Sequence, residues 1–449
     1  MSSRLRTSLL LSALIPFLSA SLRAQVPARD AVECTPREGL PHFFAKLQRG
    51  ENVKIAYLGG SITAQAGWRV QSLAHFQKLY PNAKLEEIYA AIGGTGSNMG
   101  VFRMDHDVLP QKPDLVFVEF AVNDAGARTV EITQCMEGIV RKIYKAYPDC
   151  DICFVYTMTE RELPEVQSGQ MSQAASTMEQ IADTYQLPSI HLGIEVARME
   201  KEGTLLFKAP GAKVEQVSGK ELDRTANIPV GEDGKIPFSP EGVHPFTDTG
   251  HRLYTEAIIR SIPLIQAVPA HLEPHSLRAP IDPDNLENAA MVPLENAKMS
   301  GPWQQLTGPG SPSGFNGPRA SDFTRFMTSL WKAEPGAELT FRFKGTRAAI
   351  YDIVGPGCGK LEITVDGKSS QHNRIDPYGS YYRISSINAG FNLPRNEVHE
   401  VQIKLLSDPI DKESILKESN RADFKANPAK YAELNWYAGG IFFVGDWVP

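Results

Sequence analysis

The chain has 449 residues, of which 42% are apolar and 22% charged, with a formal charge of −6. That length holds two domains with sizeable cores, and the negative balance argues against nucleic acid or an anionic membrane surface as a partner. Five cysteines are an odd number for an oxidising compartment and do not form a disulfide framework.

Residues 1–24 read as an export signal. Arg4 and Arg6 give a basic start, Leu9 to Leu18 an apolar run too short to span a bilayer, and Ala20 and Ala24 small residues for cleavage. A secreted or periplasmic protein without membrane insertion is expected. Residues 25–267 read as the first domain, in which strand and helix alternate from about Asn52 to Ala267. Strand-like runs are Val53 to Leu58, Leu85 to Ala90, Leu115 to Phe120, Ile152 to Tyr156 and Ser189 to Leu192. Helical periodicity fills Arg69 to Tyr80, Val130 to Ala146, Ser172 to Tyr185 and Gly250 to Ile262. Short apolar strands separated by helices predict an α/β unit with a parallel sheet covered on both faces. Cys150 and Cys153 open a strand and read as buried structural thiols, with one bridge among Cys135, Cys150 and Cys153 left open. A polar excursion from Pro210 to Pro240 predicts a loop or hairpin near the sheet's active edge. Residues 268–288 are rich in proline and read as a linker. From 289 to 449 strand signals dominate: Ala337 to Phe343, Arg347 to Val354, Lys360 to Val365, Val398 to Leu405 and Gly439 to Val444, a pattern that predicts a β-sandwich.

Four segments carry candidate chemistry. Gly59-Gly60-Ser61 lies where the first strand gives way to a helix, the edge at which open α/β sheets gather their sites. A serine there is either a nucleophile or the N-cap of an ordinary helix. Ile92-Gly93-Gly94-Thr95-Gly96-Ser97 lets backbone N–H groups approach a ligand, although without a P-loop lysine. Val122-Asn123-Asp124 follows an apolar strand and offers a side-chain amide to an oxyanion, or simply a turn. Glu241-Gly242-Val243-His244-Pro245 supplies a candidate base.

In this order and spacing, the four segments over residues 52–265 resemble the SGNH hydrolases of the GDSL esterase superfamily. The resemblance implies a flavodoxin-like parallel sheet with Ser61 as nucleophile and His244 as base. It also implies an oxyanion hole made from the backbone N–H groups of Ser61 and Gly94 and the amide of Asn123. The family's aspartate, three residues before the histidine, is here Glu241, so either Glu241 or a backbone carbonyl orients the ring. No metal and no organic cofactor is implied. Residues 289–449 resemble the jelly-roll domains attached to secreted carbohydrate esterases, which points to acetylated polysaccharide or oligosaccharide as substrate. Trp303, Trp331, Tyr381, Tyr382, Trp436 and Tyr437 are either sugar-stacking faces or core. Arg69 and Arg103 are substrate contacts or solvated helix residues. Two other functions compete: a lipid-acyl esterase or thioesterase, and a non-catalytic glycan-binding protein on an esterase scaffold.

Overall fold

A computed structural model describes residues 26–212, 214, 227–307, 323 and 325–449. The predicted signal segment lies outside the described residues, as does the middle of the 210–240 excursion.

The first unit is built on strands β1 (Cys34–Thr35), β2 (Asn52–Gly59), β3 (Lys84–Tyr89), β4 (Leu115–Glu119), β5 (Asp151–Tyr156) and β6 (Ser189–His191), in the order β1-β6-β5-β4-β2-β3. All pairs are parallel except β1 with β6. Leaving aside the short β1, the order is the flavodoxin-like 2-1-3-4-5, in which the chain reverses direction across the sheet between β2 and β4. Every residue of β4 and β5 is buried, because helices cover both faces. The predicted helices appear as Trp68–Leu79, Thr129–Ala146, Gln173–Tyr185 and Gly250–Gln266. Ser172 caps the third of these by accepting the Ala175 N–H. The excursion is flanked by β7 (Leu205–Lys208) and β8 (Ile236–Ser239), which pair in parallel; they do not form a hairpin.

The second unit is one large antiparallel sheet. Its strands are β9 (Ala289–Pro293), β10 (Lys298–Ser300), β11 (Trp303–Gln305), β12 (Trp331–Ala333), β13 (Glu338–Val354), β14 (Lys360–Val365), β15 (Lys368–Asn373), β16 (Arg383–Phe391), β17 (Val398–Leu406) and β18 (Trp436–Val448). Where sequence periodicity gives two strands, β13 runs continuously, with an irregularity between Gly345 and Arg347. Before that point it pairs with β17, and after it with β16. The sheet thereby closes over a core of Phe341, Phe343, Ile350, Ile403, Trp436 and Ile441.

The two units share apolar packing. Met99, Phe102 and Ile139 of the first belong to the same buried cluster as Tyr351, Ile353 and Phe442 of the second. The rings of Phe102 and Phe442 stack at 4.9 Å. The proline-rich stretch between the units is itself pinned. Glu137, fully buried, accepts the N–H groups of Ile281 and Asp282 at 2.6 and 3.0 Å. His275 binds Asp151 at 2.8 Å, and His42 lies beside them, with ligand-capable atoms of all three within 4.8 Å. This is the one His/Cys/Asp/Glu trio among the described residues close enough to hold a metal ion, and Asp151 places it at the start of β5, the opposite edge from Ser61. Asp151 also accepts the Phe43 N–H at 2.8 Å, so its present bonds fasten the crossing segment to the sheet.

All five cysteines are free thiols, so the bridge considered among Cys135, Cys150 and Cys153 does not form. Cys150 and Cys153 point into the cores on opposite faces of the sheet. Of the six aromatics considered for sugar stacking, Trp436 and Tyr437 are fully buried and Trp303 packs on Trp436. Tyr381 is exposed. Among the described residues no helix is long and apolar enough to cross a membrane.

Candidate active site

The site forms at the reversal between β2 and β4. After Gly59 the chain turns through Gly60 into a short helix, Ser61–Ala64, with Ser61 in its first position. Both glycines are required by what lies beside them. A methyl at Gly59 would stand 2.8 Å from the Glu119 carbonyl oxygen and from Thr63 Oγ1, and one at Gly60 would overlap Asn123 Oδ1. The overlap at Gly60 places the Asn123 side chain directly against the serine turn. The glycine-rich block also meets it, since a methyl on Gly93 would sit 3.6 Å from Ser61 Cβ. Ile92 to Thr95 is a tight turn closed by Thr95 N–H to the Ile92 carbonyl, and Gly94 holds φ +76°, a conformation that favours glycine.

His244 arrives from the loop after β8. Its Nε2 lies 2.9 Å from Ser61 Oγ, and its Nδ1 binds Glu241 Oε1. The same oxygen accepts the His244 backbone N–H at 2.9 Å. With the ring proton on Nδ1, Nε2 is the acceptor for the Ser61 hydroxyl. The extra methylene of glutamate, relative to aspartate, lets one oxygen reach both groups. The loop is anchored from behind: Ser239 Oγ accepts the Gly242 N–H at 2.8 Å and donates to the Phe207 carbonyl at 2.9 Å. The His244 and Glu241 side chains are 40% and 45% exposed, so the imidazole is open to solvent.

Asp124 Oδ1 accepts the Ser97 N–H at 3.0 Å and ties the asparagine block to the helix Ser97–Asp107. Burial pushes its carboxyl up from 3.8 to about 6, against the Ser97 hydrogen bonds. His251, in the first turn of the last helix, is buried and structural. Its Nδ1 accepts the Trp68 N–H at 3.2 Å and its Nε2 lies 3.1 Å from Gln65 Oε1. Burial pushes it down to about 3, and it stays neutral. The two arginines considered as substrate contacts are neither that nor solvated. Arg69 is buried, donates to the Thr63 and Ala64 carbonyls and lies over the Tyr89 ring. Arg103 is wholly buried and pairs with Asp107.

Sequence reasoning missed Glu119, at 1% exposure an acid behind the serine turn. Its signal was present: one carboxylate within the apolar run Val116 to Val122.

A serine, an imidazole and a carboxylate in series, at the reversal point of a flavodoxin-like sheet, define the first unit as a hydrolase domain. Residues 57–252 match the model of the GDSL-like lipase/acylhydrolase family. Two crystal structures of a two-domain esterase active on acetylated mannans, one co-crystallized with mannopentaose, are similar to the chain with TM-scores of 0.65 and 0.66 at 19% identity. They cover 93% and 92% of this chain and 98% and 97% of their own. The likeness is one of fold and takes in both units. An acetylxylan esterase from Geobacillus stearothermophilus aligns with 47% of this chain and 94% of its own at 17% identity, with a TM-score of 0.32. No curated protein matches the chain in sequence.

Proposed function

We propose that the protein is a secreted or periplasmic serine esterase that removes O-acetyl groups from polysaccharide or oligosaccharide. The observation that carries the reading is the 2.9 Å approach of Ser61 Oγ to His244 Nε2, with Glu241 on the other ring nitrogen. His244 takes the Ser61 proton as Oγ attacks the acetyl carbonyl. The N–H groups of Ser61 and Gly94 and the Asn123 amide receive the charge that grows on the carbonyl oxygen, and one such donor contributes about 3 kcal/mol in other oxyanion holes. Glu241 steadies the imidazolium. His244 returns the proton to the departing sugar oxygen, which leaves an acetyl-serine. It then deprotonates water, and attack of that water releases acetate and restores Ser61.

The carbohydrate substrate is supported by the whole-chain likeness to a two-domain esterase active on acetylated mannans. The basic, then apolar, N-terminal segment supports export. In this reading residues 25–267 are the catalytic domain, 268–288 the connection and 289–449 a jelly-roll accessory domain.

The test is acetate release from acetylated xylan, mannan, xyloglucan and pectin, with p-nitrophenyl acetate and p-nitrophenyl palmitate alongside, for wild type and Ser61→Ala. Acetate from a polymer, lost in the variant and without palmitate turnover, is the expected result. Palmitate turnover would move the protein to lipid acyl chains, and silence on every substrate would favour a glycan-binding protein.

A further inference from the structure

Glu119 closes β4 in register with Gly59, the last residue of β2, so it stands beside the strand end from which the serine turn departs. It is 1% exposed, so its carboxylate is removed from water at a cost that its hydrogen bonds must offset. Among the described residues no cation offsets the carboxylate. Instead two hydroxyls donate to it, Thr63 Oγ1 to Oε2 at 2.8 Å and Thr157 Oγ1 to Oε1 at 2.8 Å, and the nearby Gly60 N–H also favours the charged form. Burial pushes the carboxyl up, and these bonds work against that push.

Gly60 and Thr63 bracket the candidate nucleophile, one immediately before Ser61 and the other two residues after it. Thr157 follows directly on β5 and ties the other oxygen to the next strand of the sheet. The carboxylate therefore ties the turn to the sheet. Gly60 is also the residue against which Asn123 lies. A shift of this turn moves the Ser61 hydroxyl and N–H together relative to the Asn123 side chain.

We infer that Glu119 is a positioning residue for the reaction: its carboxylate locks the Gly60–Thr63 turn so that the Ser61 hydroxyl and N–H meet the acyl carbonyl together. The inference rests on the reading of Ser61 as nucleophile. Glutamine at this position keeps the shape but turns an NH2 toward a donor, which loosens the turn without emptying the site.

The test measures kcat and KM on p-nitrophenyl acetate, with thermal melting, for Glu119→Gln, Thr63→Val, Thr63→Ser, the double variant Glu119→Gln/Thr63→Val and, as control, Ser61→Ala. For Glu119→Gln, kcat is expected to fall about a hundredfold, the scale of a small misplacement of reacting groups, with KM within about twofold. Thr63→Val lowers kcat in the same direction and Thr63→Ser restores it. The double variant is no slower than Glu119→Gln alone, because both changes break one contact. Wild-type kcat in a folded Glu119→Gln, or effects that multiply in the double variant, would overturn the inference. Should Glu119→Gln fail to fold, wild-type kcat in Thr63→Val would overturn it equally. Full activity in Ser61→Ala would instead remove the nucleophile on which the inference depends, a separate failure.

Discussion

Glu241 reaches His244 twice with one oxygen, at the ring and at the backbone N–H, so its replacement disturbs both tautomer and loop. Glu241→Gln is expected to lower kcat roughly a thousandfold on p-nitrophenyl acetate, since an amide can offer its NH2 to Nδ1 and favour the wrong tautomer. Little change in kcat would mean that the backbone alone orients the ring. Asp124 supplies a second prediction. Its folded carboxyl titrates near 6 against 3.8 when exposed, so its contribution to stability is full below about pH 4 and declines as pH rises through 6. The loss amounts to about 3 kcal/mol. Denaturant unfolding at pH 4 and pH 7.5 should show that slope in wild type and a shallower one in Asp124→Asn. At this scale the sequence was most legible where chemistry coincides with a backbone signal. Ser61 follows two glycines, Gly94 lies in a glycine run, Asn123 follows an apolar strand, and His244 precedes a helix. Glu119 is flagged only as a lone acid within an apolar run, and tertiary contacts alone tell which groups it holds.

Among elements, the long strands and helices follow periodicity closely, while Ser97–Asp107 escapes it. Gly100 and Gly96 weaken its helical signal, yet both are demanded by packing. A methyl on Gly100 would come 2.7 Å from the Phe120 ring. Gly100→Ala gains about 1 kcal/mol of helix propensity. It meets an overpacking cost of about 1–3 kcal/mol. The expected net is a lower melting temperature, and a raised one would show that Phe120 moves aside freely. The joined strand β13 has a similar cause. Gly345 looks like a turn in sequence, but a methyl there would run into the Val444 carbonyl of β18, so the glycine serves close approach within a continuous strand. The bounds of β7 and β8 were hidden for another reason, because a parallel pair of four-residue strands has no turn signal between them.

For the molecule as a whole, the stacking of Phe102 on Phe442 and the pinning of residues 275–286 join the two units through buried contacts. Composition marks a change of pattern after residue 267 but carries no sign of a shared core, since apolar residues hold no record of their partner. Phe442→Ala is expected to cost about 3–5 kcal/mol. By calorimetry it should split one unfolding transition into two, and a lowered single transition would show that other contacts suffice to couple the units. The free thiols carry a different consequence, one of timing. Four of the five are sealed in cores, and burial makes those thiols harder to ionise, so in the folded protein those four are sheltered from oxidation. The unfolded chain has no such shelter, with only two residues between Cys150 and Cys153. Each molecule must complete its collapse before an oxidant finds it, and a laboratory refolding will give its best yield with reductant present from the first second to the last.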